Sequence, residues 1–446
     1  MSIKMTKPQV SLEDIPEILR TYGISSENGG GGTSRFANDI IKRYGRLNKP
    51  LPYELAYVVG IYAISPFYDQ LYNNPVLENV FGYTDNDDAR KKVITQSVVL
   101  LSTIYTRATN TSKPKDDSEA SPADQLAGIV SAVFEYDIPN ASPSRKYGGF
   151  LNPNSSIIAD NCGTGGDTIN TYHISTAAAL IAAASGAKVA KHGSPGNARR
   201  SGSSDFMSYL GIPIWDKVEL EDIEYMIDKA NFGYTEAADK RFKSIHIQTQ
   251  LLVGMSHMND IIGPMTSPVL PEKLVIKLVG TNQVIGPDVI ADAYKILNAR
   301  GITHLKHGLF VRGLNRPGVI EETMDEISIL EAGTEAVLLE EGKDPEKVRI
   351  GHENFNFSNY ALRKDIEPSS TEAADRLTYT MKVLNGKGTK EATELLLANA
   401  AALMSLIDGK AASLDFTDKV EVARNILEEK KWLDTVENVK NASLRR

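Results

Sequence analysis

Residues Asp160 to Gly211, DNCGTGGDTINTYHISTAAALIAAASGAKVAKHGSPGNARRSGSSDFMSYLG, bring together in one span the residue types that bind a phosphorylated ligand. Gly163-Thr164-Gly165-Gly166-Asp167 follows a short apolar run, and glycines there leave backbone N–H groups uncovered, which suits an anion. Ser175 and Thr176 open an alanine-rich stretch; a helix starting there adds free N–H groups and a favourable dipole. Their hydroxyls can cap the helix, donate to phosphate or ligate magnesium. Lys191 ends the next apolar run with a fixed positive charge. Arg199 and Arg200 then precede Ser201-Gly202-Ser203-Ser204-Asp205, a second turn of small residues able to present N–H and hydroxyl donors. Each feature alone is weak, since the glycine turn is neither a Walker A loop nor a GxGxxG fingerprint. Their order and spacing are much more specific.

The elements that position these groups alternate. IIADNCGTGGD reads as a strand running into a turn, STAAALIAAASG as a helix stopped by Gly186, and AKVAKHG as the next strand. PEKLVIKLVG, NQVIGPDVIADAYKILNARG and THLKHGLFVRG continue the alternation, the sequence form of a mostly parallel sheet covered by helices. From STEAADRL onward the chain reads as helices. Upstream, Ser11 to about Tyr136 is helical in pieces: SLEDIPEILRTYG opens with a capping Ser11 and ends at Gly23, and PADQLAGIVSAVFEY carries apolar residues at three and four spacing. SSENGGGGTS and TNTSKPKDDSEASP interrupt it as loops; the glycines at 29–32 follow no strand and read as a connector, not a phosphate loop. The expected fold is α/β. A small helical domain over residues 1–150, joined by the segment near 235–260, sits on a larger α/β domain over 151–446 that ends in helices.

A chain of 446 residues with 41% hydrophobic and 24% charged residues buries a large core rather than staying disordered. Its net charge of −8 argues against coating a duplex, so no nucleic-acid partner is expected. Cys162 is the only cysteine, which excludes an internal disulfide and a cysteine metal cage and reads as a packed thiol in a reducing compartment. No apolar stretch approaches the ~20 residues of a bilayer span, and MSIKMTKPQV lacks a signal-peptide core. A cytoplasmic location without membrane attachment is the expectation.

The order GTGGD, a Ser-Thr pair, KHG and SGSxD before a helix ending in Leu-Gly closely resembles the anthranilate phosphoribosyltransferase family and its nucleoside-phosphorylase relatives. The resemblance continues in GPMTSP at 263–268, NQVIGP at 282–287, MDEIS at 324–328 and LLLANAAALMSLIDGKAASL, and covers residues 158–435. It implies a magnesium-dependent transfer of phosphoribose from phosphoribosyl pyrophosphate to the amine of anthranilate, with release of pyrophosphate, in tryptophan biosynthesis by a homodimer. By resemblance Gly163, Gly165, Gly166, Asp167 and Thr171 line pyrophosphate and ribose, and Ser175, Thr176, Lys191 and Ser203 add donors and charge. His192, Gly193 and Ser194 belong to the same substrate wall. Ser175, Asp325 and Glu326 match the magnesium positions, and Lys191, Asp325 and Glu326 are the candidate catalytic groups. Taken bare, MDEIS is an ordinary solvated acidic pair; adjacent carboxylates facing a diphosphate also make a reasonable magnesium anchor.

The pattern breaks at the acceptor side. His173 stands where the family carries Asn, either donating to phosphate or packed in a turn. Ser194-Pro195 replaces the family's Asn-Arg, with Asn197 near enough to substitute. Gln250 replaces the arginine expected to meet the acceptor carboxylate, a charge-assisted contact worth about 1.5–3 kcal/mol. Lys240, Arg241 and Lys243 could supply a replacement cation or form a solvated face. A different aromatic amine, a nitrogen heterocycle or a phosphorylase reaction are therefore the competing expectations.

Overall fold

The structure is a computed structural model describing residues 10–24, 35–47, 49–84, 86–108, 120–196, 201–251, 257–370 and 372–444. The glycine run at 29–32, most of the second loop, Asn197, Arg199 and Arg200 lie outside the described residues.

The described residues form an eight-stranded sheet. Its strands are β1 (Ile158–Gly163), β2 (Val189–Gly193), β3 (Phe232–Glu236), β4 (Leu274–Gly280), β5 (His307–Leu314), β6 (Thr323–Met324), β7 (Thr334–Glu340) and β8 (Glu346–Ile350). They lie in the order β3-β2-β1-β4-β5-β7-β8, with β6 paired to β5. From β3 to β5 the pairings are parallel; β6, β7 and β8 attach antiparallel. The chain winds from β1 outward to β3 and then returns to the other side of β1 with β4. That reversal opens a crevice at the carboxyl ends of β1 and β4, where α/β sheets bind ligands.

The strands read as near-continuous apolar runs because both sheet faces are covered. On β5, Leu309 and Val311 enter one core and Phe310 the other; on β7, Ala336 and Leu338 separate in the same way from Val337 and Leu339. The first core is closed by helix Ile174–Ala184, helix Leu220–Ala230 and the C-terminal helices, of which Lys390–Ile407 supplies Leu395, Leu396 and Leu403. The second is shared by helix Pro287–Ala299 and the N-terminal helices, among them Tyr53–Ile64 and Pro122–Ala132. Ser11 stands at the N-cap of the first helical turn, where its amide donates to Asp14 Oδ2 at 3.0 Å, and Gly23 ends that helix in the left-handed region at φ 63°.

The segment after β3 is anchored to the helical lobe. The Ser244 and Ile245 amides donate to the buried Asp137 carboxylate at 2.7 and 2.9 Å, and Gln248 Nε2 donates to the Ala63 carbonyl at 2.9 Å. This segment forms one wall of the crevice while its other side packs into the helical core through Ile245, Ile261 and Ile262. No described helix is long and apolar enough to cross a membrane.

Candidate active site

A cleft of about 530 Å³ occupies the crevice at the ends of β1, β2 and β4. Its lining includes Gly163, Gly165, Gly166, Asp167, Thr171, His173, Ser175, Thr176, Lys191, His192, Gly193, Ser194, Ser203, Asp325 and Glu326. Those residues lie far apart in sequence and meet because parallel strands deliver their carboxyl ends to one edge. Gln250 lies in the turn Ile245–Leu251 and its side chain, like Asn197, falls outside the described residues.

The glycine turn is held open by its own backbone. Gly165 and Gly166 have φ of 67° and 74°, a region that costs side-chain-bearing residues strain. A Cβ on Gly163 would stand 1.9 Å from Asp325 Oδ2, so only glycine lets that carboxylate approach. The Gly165 amide donates to Asp325 Oδ2 at 2.8 Å, and Asn282 Nδ2 donates to the Gly165 carbonyl at 2.7 Å. Asn282 sits inside the NQVIGP motif, yet the motif alone did not assign it this role.

Asp325 and Glu326 follow β6, whose pairing with β5 (Gly313 opposite Met324) brings them to the turn. Glu326 is buried, and its Oε2 has no hydrogen-bond partner among the described residues. Burial first, and then the neighbouring Asp325 and Asp167 carboxylates, raise its pKa well above the ordinary glutamate value. Such crowded acidic oxygens, one of them unpartnered, fit a hard divalent cation that would relieve their repulsion. Among the described residues no three His, Cys, Asp or Glu side chains form a metal cage. One or two such oxygens fit an ion like magnesium, which keeps several of its own waters.

Ser175 and Thr176 are the second and third residues of helix Ile174–Ala184, while the capping position is His173. No described residue engages either hydroxyl, so both remain available to the cleft they line. His173 is packed at the start of the helix, as one of its two readings had it. Its ring stacks on Phe206 with centroids 5.1 Å apart, and Nε2 lies 2.9 Å from Ser201 Oγ at the cleft wall. Burial, then Arg376 and Lys191, lower its pKa to about 3, so it meets a ligand as a neutral group.

Lys191 is 2% exposed, and its Nζ donates to the His192 carbonyl at 3.0 Å. Among the described residues that is its one hydrogen bond, leaving ammonium donors for an anion. Burial lowers its pKa, opposed by Cys162, Asp160, Glu326 and Asp325. Cys162 itself is a buried thiol pushed up to about 12 by burial, first of all, and by Asp160. The packed-thiol reading therefore holds.

Arg376, on helix Ala373–Leu384, reaches the same cleft and donates to the carbonyls of Thr171 at 2.8 Å and Ser201 at 2.9 Å. Sequence reasoning missed it, because a lone arginine on an amphipathic helix carries no local signal. The basic run divides: Lys240 is exposed, as a solvated face requires, and Lys243 is not. Lys243 is fully buried, bonded to Thr266 Oγ1 at 2.9 Å and 3.0 Å from His192 Nε2, with burial lowering its pKa to about 7. Arg241 is paired with Asp239 at 2.6 Å and donates to the Val218 carbonyl. With Lys240 it lines another hollow, of about 830 Å³ near Trp215, which shares Pro195 and Ala238 with the cleft. None of the three lines the cleft.

The geometry can be set beside known proteins. A family model described as the α/β domain of a glycosyl transferase family matches residues 155–430. The chain belongs to that family. Among curated glycosyl transferase relatives, the anthranilate phosphoribosyltransferase of Herpetosiphon aurantiacus is 29% identical over 295 residues, covering 65% of this chain and 80% of the relative. That of Colwellia psychrerythraea is 31% identical over 282 residues, covering 63% and 70%. The resemblance carried by GTGGD, KHG and the later motifs is thus borne out. Two structures share the fold. The anthranilate phosphoribosyltransferase of Thermus thermophilus has a TM-score of 0.61 and 21% identity over 89% of this chain and 97% of its own. The Saccharomyces cerevisiae enzyme in complex with PRPP and Mg has a TM-score of 0.59 and 17% identity over 82% and 90%.

Proposed function

We propose that this chain is a magnesium-dependent pentosyltransferase that moves phosphoribose from phosphoribosyl pyrophosphate to the amine of anthranilate and releases pyrophosphate, a step of tryptophan biosynthesis. The observation that carries this reading is the convergence of the glycine-turn amides, the two unengaged hydroxyls, the Lys191 ammonium and the Asp325–Glu326 pair on one cleft. The relatives' names and the structure of the yeast enzyme with PRPP and Mg support it.

The chemistry asks little covalent work of the protein. Loss of pyrophosphate leaves an oxocarbenium-like sugar, so catalysis lies in holding the leaving group, stabilising its growing charge and presenting the amine to C1. The Gly166 amide and the hydroxyls of Ser175 and Thr176 bind phosphate oxygens, the Gly165 amide being engaged by Asp325, and Lys191 sets a fixed charge against the departing diphosphate. Asp325 and Glu326, with Ser175, would hold magnesium, which neutralises the diphosphate. Thr171, His173, Gly193, Ser194 and Ser203 shape the ribose and phosphate wall. The acceptor lies against Ala237, Ala238, Gly263 and Pro264, which line the same cleft. This reading also includes a helical domain ending near residue 150, a homodimer and a cytoplasmic location; light scattering on the purified chain tests the dimer.

Pyrophosphate release from phosphoribosyl pyrophosphate with magnesium, assayed with anthranilate and then with a panel of aromatic amines and nitrogen heterocycles, tests the function. Turnover with anthranilate that is lost in Lys191→Ala supports it. Turnover only with an uncharged heterocycle would replace the acceptor while keeping the donor.

A further inference from the structure

A hydrogen-bonded chain of side chains runs behind the cleft wall from Glu236 to Ser203. Glu236 ends β3, is 2% exposed, and its Oε2 is bonded to Ser204 Oγ. Ser204 Oγ lies 2.7 Å from the Tyr234 hydroxyl, which lies 3.0 Å from Ser203 Oγ. The Ser194 amide donates to the same Ser203 oxygen at 3.2 Å. A Cβ on Gly193 would stand 1.9 Å from Ser203 Oγ and 2.7 Å from the Tyr234 hydroxyl, so the glycine of the KHG motif is what admits both oxygens to this spot.

We propose that Tyr234 and Glu236 are positioning residues that decide which way the Ser203 hydroxyl donates. This rests on the reading that a phosphate of the donor substrate lies against Ser203. The argument is one of counting protons along a chain in which each hydroxyl has one. When Glu236 is ionised it accepts from Ser204, Ser204 accepts from Tyr234, and the Tyr234 oxygen is left to accept from Ser203. The Ser203 proton then points away from the cleft. When Glu236 holds a proton the order reverses: Glu236 donates to Ser204, Ser204 to Tyr234, and Tyr234 to Ser203. The lone pairs of Ser203 are then taken by Tyr234 and the Ser194 amide, and its own O–H, which has only the Ser194 carbonyl at 3.4 Å as a long protein contact, turns to an anion in the cleft.

The surroundings of Glu236 place the reversal in the neutral range. Burial raises its pKa to about 7, against hydrogen bonds from Ser204 and the Ala238 amide, with Asp239 and Asp205 adding repulsion. Among the described residues, those two aspartates face it from the following turn and from helix Ser203–Tyr209, and the Tyr234 phenol faces it from its own strand. On the neighbouring strand β2, Gly193 pairs with Glu236 and Lys191 with Tyr234.

The test uses the full chain with anthranilate and magnesium saturating, and reads KM for phosphoribosyl pyrophosphate and kcat between about pH 5.5 and about pH 8.5. The wild type is expected to show KM rising roughly 10- to 100-fold through neutral pH, the worth of one hydrogen bond to a charged group, with kcat nearly level. Glu236→Gln keeps its Oε1 on the Ala238 amide and turns its NH2 to Ser204, so the donating order is locked: KM should stay low at every pH. Tyr234→Phe breaks the chain and should remove the pH step. A Glu236→Gln enzyme whose KM rises as the wild type's does would overturn the proposal, and so would a Tyr234→Phe enzyme that tracks the wild-type profile. Glu236→Gln alone decides the matter if Tyr234→Phe does not fold. Absence of turnover in the wild type at every pH would instead overturn the functional reading. Titration calorimetry with inorganic pyrophosphate then carries the same comparison of wild type and Glu236→Gln.

Discussion

Lys191 and Lys277 lie two strands apart in the sheet, are both buried and have opposite surroundings. Lys277 is fully buried and paired with Asp160, which is also fully buried. Although burial works against its charge, Asp160 holds its pKa above the ordinary lysine range. Asp160 in turn accepts the His192 amide at 2.9 Å, and His192 is bonded through Nδ1 to Thr235 and through Nε2 to Lys243. In this layer, between the sheet and the helical lobe, charges are met by other protein groups. Lys191, at the cleft, has one carbonyl partner and a lowered pKa. Depth alone therefore does not separate scaffold from site; the number of donors left without a protein acceptor does. A buried ammonium with too few partners is costly unless a ligand completes it.

That contrast can be broken first at the scaffold. Lys277→Met should destabilise the fold by about 3–5 kcal/mol, because it leaves Asp160 as an unpaired buried charge. Thermal or urea unfolding measures this, and KM in the fraction that folds should stay near the wild-type value. Lys191→Ala should do the reverse: a melting point at or above that of the wild type, with kcat/KM reduced roughly 10²- to 10³-fold, the usual loss for a group that stabilises transition-state charge. A Lys191→Ala protein that melts early and works normally would erase the distinction.

A smaller effect is expected at the acidic pair. Asp325→Asn combined with Glu326→Gln should raise the magnesium concentration for half-maximal activity by about 10-fold or more. Since Glu326 loses its unfavourable ionisation, stability should hold or improve. Activity and unfolding curves taken across a magnesium titration read both.

The smallest effect concerns pH. His173 has a folded-state pKa of about 3, below its ordinary value, so the unfolded chain takes up its proton first. Stability from this group is complete above about pH 6.5 and is lost as pH falls below it, at ~1.4 kcal/mol per pH unit. His192, His246 and His257 shift the same way, so the wild type should lose stability steeply between neutral pH and about pH 5. His173→Asn should remove one histidine's share of that slope while leaving phosphoribosyl pyrophosphate turnover largely intact, as measured by melting temperature against pH.

What could be read in advance followed from local rules. Apolar runs ending in glycine turns announced β1, β2, β4 and β5. Gly163, Gly165 and Gly166 announced a turn with uncovered backbone amides, and the helix stops at Gly23 and Gly186 followed from what only glycine does without strain. The antiparallel strands β7 and β8 were not read from TEAVLLEEGKDPEKVRI, because strand direction depends on which partner the segment meets. Ser175 and Thr176 were ambiguous as caps until His173 was seen to occupy the capping position.

The amino-acid sequence by itself determined the order of chemical groups, the alternation of strand and helix and the places where a side chain could not fit, since these depend on neighbours within a few residues. Only the tertiary structure decided that Arg376 joins the cleft, that Lys243 is buried beside His192 instead of facing solvent, and that Glu236 is wired to Ser203. Burial and hydrogen-bond partnership are properties of what packs against a residue from distant parts of the chain, and no short window of residues contains them.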